Sequence, residues 1–235
     1  MDNSGKLYIV STPIGNLEDI TLRALRILKE ADLILCEDTR VTKKLLDRYN
    51  IQKPLLSYHH HSKLSRVEKI AEHLENGKNL ALVSDAGTPG ISDPGNLLIE
   101  HITRNIEQKV EIIPIPGPSA ISAIASVAGI SMDKFCFLGF PPHKKGRETF
   151  FRAAADSKYP VIYFESVHRF LKNLELLEKL KPDAKLIVGR ELTKMFEEIR
   201  RGGVGEIKKY FEGASSAEAS ASRRKIKGEF VIIAY

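Results

Sequence analysis

Short runs of aliphatic residues alternate along this chain with segments in which apolar residues recur at helical spacing. Residues 7–11 (LYIVS) predict a strand, and residues 21–31 place leucines and an isoleucine on one helical stripe. The same criteria predict further strands at 32–36, 55–58, 79–84, 110–115, 135–138, 161–165, 185–189 and 229–234. They predict further helices at 41–49, 62–76, 94–103, 119–128, 147–155 and 167–180. Gly77 is expected to end the helix at 62–76 as its C-cap.

This alternation is typical of α/β proteins, in which mostly parallel strands are covered by helices. A turn rich in proline and glycine at residues 116–117 is the predicted boundary between two α/β domains, residues 1–116 and 117–235. An alanine- and serine-rich stretch, residues 214–222, is predicted to be a mobile surface loop.

Composition narrows the class of protein. With 43% hydrophobic and 28% charged residues, the 235-residue chain has a globular composition, which excludes a disordered or fibrous protein. The formal net charge of +6 favours an anionic partner, although many soluble enzymes carry a similar excess of lysine and arginine.

Three features of the sequence favour a cytoplasmic protein. Cys36 and Cys136 lie in apolar runs and are expected to be buried free thiols in a reducing compartment. Residues 1–5 lack the basic and apolar regions of a signal peptide. The most apolar window, residues 112–130, is interrupted by prolines and glycines, so no membrane-spanning segment is predicted.

Three loops follow predicted strands in the first half of the chain: the first loop (residues 12–19), the second loop (85–93) and the third loop (116–119). Ligands of parallel sheets bind beyond the carboxyl ends of the strands, so these loops are expected to form a binding site. The chain contains neither a G-x-G-x-x-G nor a G-x-x-x-x-G-K-[ST] pattern. A cofactor held by its phosphates is therefore disfavoured, and with it a nucleotide-binding oxidoreductase.

The second loop has the composition of a ligand-binding turn. Asp93 and Pro94 are expected to begin a helix as its N-cap and its first residue. That role does not explain Gly87, Gly90 and Asp85. Glycines allow the backbone to approach a ligand closely, and an aspartate accepts hydrogen bonds from hydroxyl or ammonium groups. A plain tight turn stays an alternative, because such turns also collect glycine and proline.

Three consecutive histidines, residues 59–61, raise the question of a metal site. Neighbouring residues of an extended chain point to opposite faces, so the three rings do not converge on one ion. No cluster of histidine, cysteine and acidic residues has a familiar metal-ligand spacing, and no metal site is predicted.

Charged residues form two further groups of interest. Glu37, Asp38 and Arg40 follow a predicted strand, where acids can either stabilise a helix N-terminus or serve a substrate. Lys144 and Lys145 belong to a basic stretch that continues to two adjacent phenylalanines, and a second basic stretch lies near residue 225. Basic segments with nearby aromatic rings suit nucleic acid, although solvated loops have a similar composition.

The chain resembles the ribosomal RNA small subunit methyltransferase I family of the tetrapyrrole methylase superfamily. The resemblance is carried by ordered blocks that span nearly the whole chain: residues 11–21 (STPIGNLEDIT), 36–40 (CEDTR), 84–95 (SDAGTPGISDPG), 116–120 (PGPSA), 139–142 (GFPP), 189–194 (GRELTK) and 227–230 (KGEF). The segment 214–225 does not resemble a motif of that family.

The resemblance implies two α/β domains of the tetrapyrrole methylase type, with S-adenosylmethionine in the cleft between them, and a homodimer. It implies 2′-O-methylation of a cytidine ribose in the decoding region of 16S (small-subunit) ribosomal RNA, with the assembled subunit as the expected substrate. The cofactor contacts that the resemblance implies are Pro13, Asp85, Gly87, Ile91, Ser119 and Ala120, with Phe164 and Gly228 from the second domain.

Methyl transfer from a sulfonium to a ribose hydroxyl is an in-line displacement that benefits from a base. Glu37 and Asp38 are the candidates for the base or for positioning the ribose. The candidates for holding RNA phosphates are Arg40, Lys144, Lys145 and Arg169. The alternatives are a methyltransferase of the same fold that acts on a tetrapyrrole or another small acceptor, and a non-catalytic RNA-binding module.

Overall fold

The computed structural model describes residues 5–59, 64–93, 95–105, 110–216 and 227–235. The predictions made for His60, His61, Pro94 and residues 217–225 fall outside the described residues. The chain divides into two compact units, Met1–Ser119 and Ala120–Tyr235. Each unit contains a five-stranded sheet packed against helices, which confirms the predicted α/β class.

The first unit alternates strands and helices along its whole length. Its strands are β1 (Lys6–Val10), β2 (Leu33–Cys36), β3 (Leu55–Ser57), β4 (Leu80–Leu82) and β5 (Glu111–Ile115). Its helices are α1 (Leu22–Glu30), α2 (Thr39–Arg48), α3 (Leu64–Glu75) and α4 (Gly95–Asn105). A 3₁₀ turn, Leu17–Asp19, precedes α1, and the hydroxyl of Thr21 caps that helix by accepting from the Ala24 N–H.

The strands of the first sheet are all parallel and run in the order β3-β2-β4-β1-β5. Because successive side chains of a strand point to opposite faces, Ile34 and Ala81 pack in one core cluster with α1 and α2. Leu35 and Leu80 pack in a second cluster with α3 and α4. The sheet is therefore covered by helices on both faces, which explains why its strands are continuous apolar runs.

In the second unit, the described residues form five strands and four helices. Its strands are β6 (Cys136–Phe137), β7 (Val161–Ser166), β8 (Lys185–Arg190), β9 (Glu198–Gly203) and β10 (Glu229–Ala234). Its helices are α5 (Ala120–Ser126), α6 (Arg147–Ala155), α7 (Phe170–Leu180) and α8 (Val204–Ser216).

The second sheet has the order β6-β7-β10-β8-β9, and among these neighbours only β6 and β7 are parallel. The mostly parallel arrangement thus holds for the first sheet and not for the second. Aromatic rings dominate the core of this unit. Phe170 stacks on Phe230 with ring centroids 4.1 Å apart, and Phe211 meets both rings edge-on.

Strand β9 and helix α8 are absent from the sequence prediction. The sequence of β9, EIRRGG, has no apolar alternation because β9 is an edge strand, and its pairing with β8 supplies its order. The loop predicted for residues 214–222 is wrong at its start, since residues 214–216 continue α8. Alanine and serine are compatible with a helix that Val204, Ile207 and Phe211 already anchor in the core.

Both cysteines are free, as predicted; Cys36 is buried, whereas Cys136 is only half-buried, which corrects the prediction that both thiols are buried. In the described part of the chain, none of the helices combines the length and the apolar character needed to span a membrane.

Candidate active site

The order of the first sheet predicts a ligand-binding crevice at the ends of β1 and β4. The chain leaves β1 toward β2 on one side of the sheet and leaves β4 toward β5 on the other side. Connections that depart in opposite directions from neighbouring parallel strands open a crevice at their carboxyl ends, where α/β proteins bind ligands. The first loop follows β1 and the second loop follows β4, so both border this crevice.

Hydrogen bonds join the three loops that the sequence singled out. Thr12 and Gly87 exchange two backbone hydrogen bonds, of 2.8 and 3.0 Å, which link the first loop to the second. The hydroxyls of Ser11 and Thr88 lie 2.8 Å apart, and the Thr88 hydroxyl also donates to the carbonyl of Pro118 at 3.4 Å. The predicted convergence of the three loops is thereby confirmed within the first unit.

The glycines of the second loop have a conformational reason of their own. Gly87 and Gly90 have φ angles of +82° and +88°, which residues with a Cβ rarely adopt. The Asp93 carboxylate accepts hydrogen bonds from the N–H groups of Gly90 (2.6 Å) and Gly95 (2.8 Å). The Asp93 carboxylate thus binds the first N–H of α4, which begins at Gly95, one residue after the predicted first position, and it also closes the turn of the second loop.

Asp85 connects the second loop to the end of β2. One oxygen of its exposed carboxylate accepts a hydrogen bond from the backbone N–H of Asp38 at 3.0 Å. A carboxylate has about four acceptor sites, so this contact leaves Asp85 the capacity to accept further donors from solvent or from a ligand. The end of β2 thus joins the three loops as a fourth part of the site.

The two acids after β2 differ in their titration behaviour. The carboxylate of Asp38 caps α2 at the Arg40 N–H (2.8 Å) and pairs with the Arg40 guanidinium, which together lower the pKa of Asp38 to about 2. Glu37 is half-buried, and its burial, followed by the negative charges of Asp85 and Asp93, raises its pKa to about 7. Glu37 therefore combines a raised pKa with a location at the end of β2, next to the Asp38 N–H that contacts Asp85 of the second loop.

The remaining residues assigned by resemblance to the cofactor in the first unit lie in the same three loops. Pro13 and Gly87 are buried, Ser119 is half-buried, and the Ile91 side chain is 41% exposed. Ala120 begins α5 and thus the second unit.

Phe164 and Gly228, the other two assigned residues, lie in the second unit on β7 and before β10. The Phe164 ring contacts those of Phe137 and Phe140, with centroids 5.1 and 5.2 Å apart. Gly228 has a φ of +110°, and a Cβ there would stand 2.5 Å from Cγ of Glu191. Gly228 therefore has a steric role in the fold that does not depend on a ligand.

The basic residues assigned to RNA fall into two kinds. Arg40 (86% exposed side chain), Lys144 and Lys145 extend into solvent. The Arg169 side chain is 15% exposed and donates to the Pro141 carbonyl (2.9 Å) and the Ser166 hydroxyl (3.0 Å). Arg169 is thus bound to its own unit.

Three participants in the site were missed in the sequence. Ser11, Thr12 and Thr88 join the loops through hydroxyl and backbone groups, and small polar residues beside glycines were the available signal. Over the residues that the structure describes, no cluster of three or more histidine, cysteine and acidic side chains is arranged to hold a metal ion.

Comparisons with known proteins identify the family. The profile of the Tetrapyrrole (Corrin/Porphyrin) Methylases matches residues 6–208. The chain is 44% identical over 208 residues to a ribosomal RNA small subunit methyltransferase I of Thermotoga maritima, covering 88% of this chain and 92% of the relative. It is 43% identical over 229 residues to the protein of that name from Borrelia garinii, covering 97% of both chains.

A solved structure supports the fold independently of sequence. Uroporphyrin-III-C-methyltransferase from Thermus thermophilus superposes with a TM-score of 0.64 at 16% identity, covering 97% of this chain and 94% of the other. The chain belongs to the tetrapyrrole methylases and, within them, to the ribosomal RNA small subunit methyltransferase I family.

Proposed function

We propose that this protein transfers a methyl group from S-adenosylmethionine to a cytidine ribose 2′-oxygen in the decoding region of 16S ribosomal RNA. The observation that carries the proposal is the 43% identity, over 97% of both chains, to a relative named for methylation of small-subunit ribosomal RNA. The protein is proposed to act in the cytoplasm, as a homodimer, on the assembled subunit.

The charges at the crevice suit a sulfonium cofactor. Four acidic side chains, those of Glu37, Asp38, Asp85 and Asp93, follow β2 and β4, and among the described residues Arg40 forms its ion pair with Asp38. Like charges repel, so this acidic rim disfavours a dinucleotide with its phosphates and favours a cationic sulfonium with an ammonium group. The absence of a phosphate-binding fingerprint points in the same direction.

The hydrogen-bonding groups of the site also suit S-adenosylmethionine. The exposed Asp85 carboxylate is suited to accept from the hydroxyl or ammonium groups of S-adenosylmethionine. Pro13, Gly87, Ile91, Ser119 and Ala120 would supply backbone groups and small or apolar surfaces. Phe164 and Gly228 complete the proposed set from the second unit.

When bound, S-adenosylmethionine supplies an electrophilic methyl group on a sulfonium that leaves as a neutral thioether. The protein's own task is to hold the acceptor hydroxyl in line and to remove its proton. Glu37 is proposed as the proton acceptor, because a carboxylate with a pKa of about 7 is both ionised and basic near neutral pH. Asp38, with its pKa near 2, is proposed to fix the end of β2 and to hold Arg40.

The proposed base makes the pH dependence of activity testable. The methyl-transfer rate should rise with pH through about 7, as Glu37 loses its proton. Asp93→Asn removes a negative charge that raises the pKa of Glu37 while keeping an oxygen for the N–H groups of Gly90 and Gly95. The midpoint of the pH–rate profile should therefore move to lower pH.

The exposed Asp47, on α2, provides a matched control for that measurement, because no described contact joins it to Glu37. Asp47→Asn should leave the midpoint in place. A midpoint that stays unchanged in Asp93→Asn, with the fold intact, would contradict the assignment of the profile to Glu37.

RNA is proposed to meet the basic loop, defined as residues 141–146, through Lys144 and Lys145, and to meet Arg40 in the first unit. Phosphate contacts position a nucleic acid without selecting its sequence, so these side chains would orient the substrate and leave the choice of nucleotide to other contacts.

Replacing both loop lysines tests this part of the proposal. Lys144→Ala/Lys145→Ala should weaken RNA binding and reduce the slope of log affinity against log salt by about two. Affinity for S-adenosylmethionine should not change, because neither lysine belongs to the proposed cofactor residues. Filter binding over a salt titration measures the slope. Lys179→Ala/Lys181→Ala, at the end of α7, is the matched control. An equal loss in both double variants would show that the effect is nonspecific.

The acceptor class is tested by offering labelled S-adenosylmethionine with different acceptors in parallel. Small ribosomal subunits lacking the modification should become labelled, whereas a tetrapyrrole and a protein acceptor should not. Labelling of the tetrapyrrole alone would identify the alternative acceptor. Cofactor binding without transfer to any of them would favour an RNA-binding module.

A further inference from the structure

Two arginines donate hydrogen bonds to three successive backbone carbonyls of the basic loop. Arg169 donates from Nη1 to the Pro141 carbonyl at 2.9 Å. Arg147 donates from Nε to the Pro142 carbonyl at 3.3 Å and from Nη2 to the His143 carbonyl. Two guanidinium groups therefore bind the backbone immediately before Lys144 and Lys145, whose side chains stay exposed.

One of these arginines, Arg169, is close to a buried carboxylate. The Glu165 side chain, on β7, is fully buried and lies 3.8 Å from Nε of Arg169. It accepts from the Ser166 N–H at 2.7 Å and from the Asn173 side-chain amide. The Ser166 hydroxyl in turn accepts a hydrogen bond from Nε of Arg169 at 3.0 Å. Glu165 and Ser166 therefore together orient the guanidinium that donates to the loop.

Stability alone does not account for this network. Burying a carboxylate has a large desolvation cost, and a buried ion pair is often no more stabilising than apolar side chains of the same volume. Phe151, Tyr163 and Phe170 belong to the largely apolar core of the same unit, so a carboxylate on β7 is an exception in its surroundings. A buried acid that aims an arginine at a surface loop is better explained by the need to fix that loop.

We propose that Glu165 is a positioning residue which, through Arg169, holds the basic loop so that Lys144 and Lys145 meet RNA phosphates at fixed places. The inference deepens the proposed function and rests on it for the identity of the partner. It also gives Arg169 and Arg147 a role different from phosphate binding, since their guanidinium groups are directed at backbone carbonyls.

A fixed loop should strengthen RNA binding, because flexible lysines lose conformational freedom when they bind phosphates. Ordering a side chain and its backbone on association has an entropic cost, and a preorganised backbone reduces the part of that cost that comes from the loop. Loosening the loop should therefore weaken RNA binding without altering the cofactor residues.

The first test measures hydrogen exchange of the basic loop in the protein without RNA. In Glu165→Gln, amides 143–146 should exchange with deuterium about tenfold faster than in the parent protein, because the arginine loses its charged partner. Glu178→Gln is the matched control, since it removes an ion pair with Lys208 on α7 and α8 (2.6 Å) away from the loop. Unchanged exchange at amides 143–146 would overturn the proposal. If Glu165→Gln does not fold, Arg169→Met breaks the same contact from the solvent side.

The second test is a double-mutant cycle on RNA affinity. Glu165→Gln should weaken binding of small-subunit ribosomal RNA roughly tenfold in the parent protein and less than about twofold when Lys144 and Lys145 are already alanine. An equal loss in both backgrounds would mean that Glu165 acts on RNA binding by another route, and would overturn the proposal. If the parent protein binds neither this RNA nor the assembled small subunit, the proposed function fails, and the exchange measurement still decides whether Glu165 holds the loop.

Discussion

Replacing Glu37 with glutamine is expected to lower the rate of methyl transfer at saturating substrates by about 10²–10⁴-fold, the usual contribution of a general base. The amide keeps the size of the side chain but cannot accept a proton. The parent profile rises through pH 7, where Glu37 titrates, and the variant profile should lose this rise. Single-turnover kinetics across pH 5.5–8.5 measures both effects in one experiment, over a range of about 1.5 units on each side of the midpoint.

Asp38→Asn is the matched control for Glu37→Gln. An asparagine oxygen can still cap α2, and Asp38 is already ionised and paired with Arg40, so its loss should affect the rate far less. Both variants should bind S-adenosylmethionine as the parent does. A Glu37→Gln variant with the parent's rate and pH profile would show that another group or an ordered water removes the proton.

Replacing Asp85 with asparagine is expected to raise the dissociation constant for S-adenosylmethionine roughly 10- to 100-fold. Hydrogen bonds to a charged group contribute about 1.5–3 kcal/mol, and the amide keeps one acceptor while losing the charge. The side chain is exposed, so the melting temperature should change little. Titration calorimetry gives the affinity, and thermal unfolding reports the fold.

Asp47→Asn serves as the control for Asp85→Asn as well, because it removes one exposed aspartate from the same unit. It should leave cofactor affinity unchanged. Parent-like affinity in a folded Asp85→Asn variant would remove Asp85 from the cofactor site and weaken the acidic-rim argument for a sulfonium.

The strands and loops of the first unit were predictable because the sequence patterns that indicate them are local. Strands such as β1 and β4 are short apolar runs, buried on both faces, and each is followed by a loop with glycine, proline or a capping residue. Parallel strands place all such loops at one edge of the sheet, so the convergence of the three loops followed from the alternation alone.

The rest depended on contacts between distant parts of the chain. No local pattern indicates that Asp38 will donate to Asp85, or that the Ser11 and Thr88 hydroxyls will meet. Strand order is equally nonlocal, and β9 exists because β8 pairs with it along its whole length. Arg169 illustrates the limit most clearly, since its sequence context favours a surface cation and the structure directs it to the Pro141 carbonyl.

We propose that the chain methylates a ribose of small-subunit ribosomal RNA. The most direct test is to incubate small subunits lacking the modification with the protein and labelled S-adenosylmethionine, and then to map the label by nuclease digestion and mass spectrometry. We expect a single methyl group on a 2′-oxygen of a cytidine in the decoding region, formed far more slowly by Glu37→Gln. A label on a base, on a ribosomal protein or outside the decoding region would contradict the proposal.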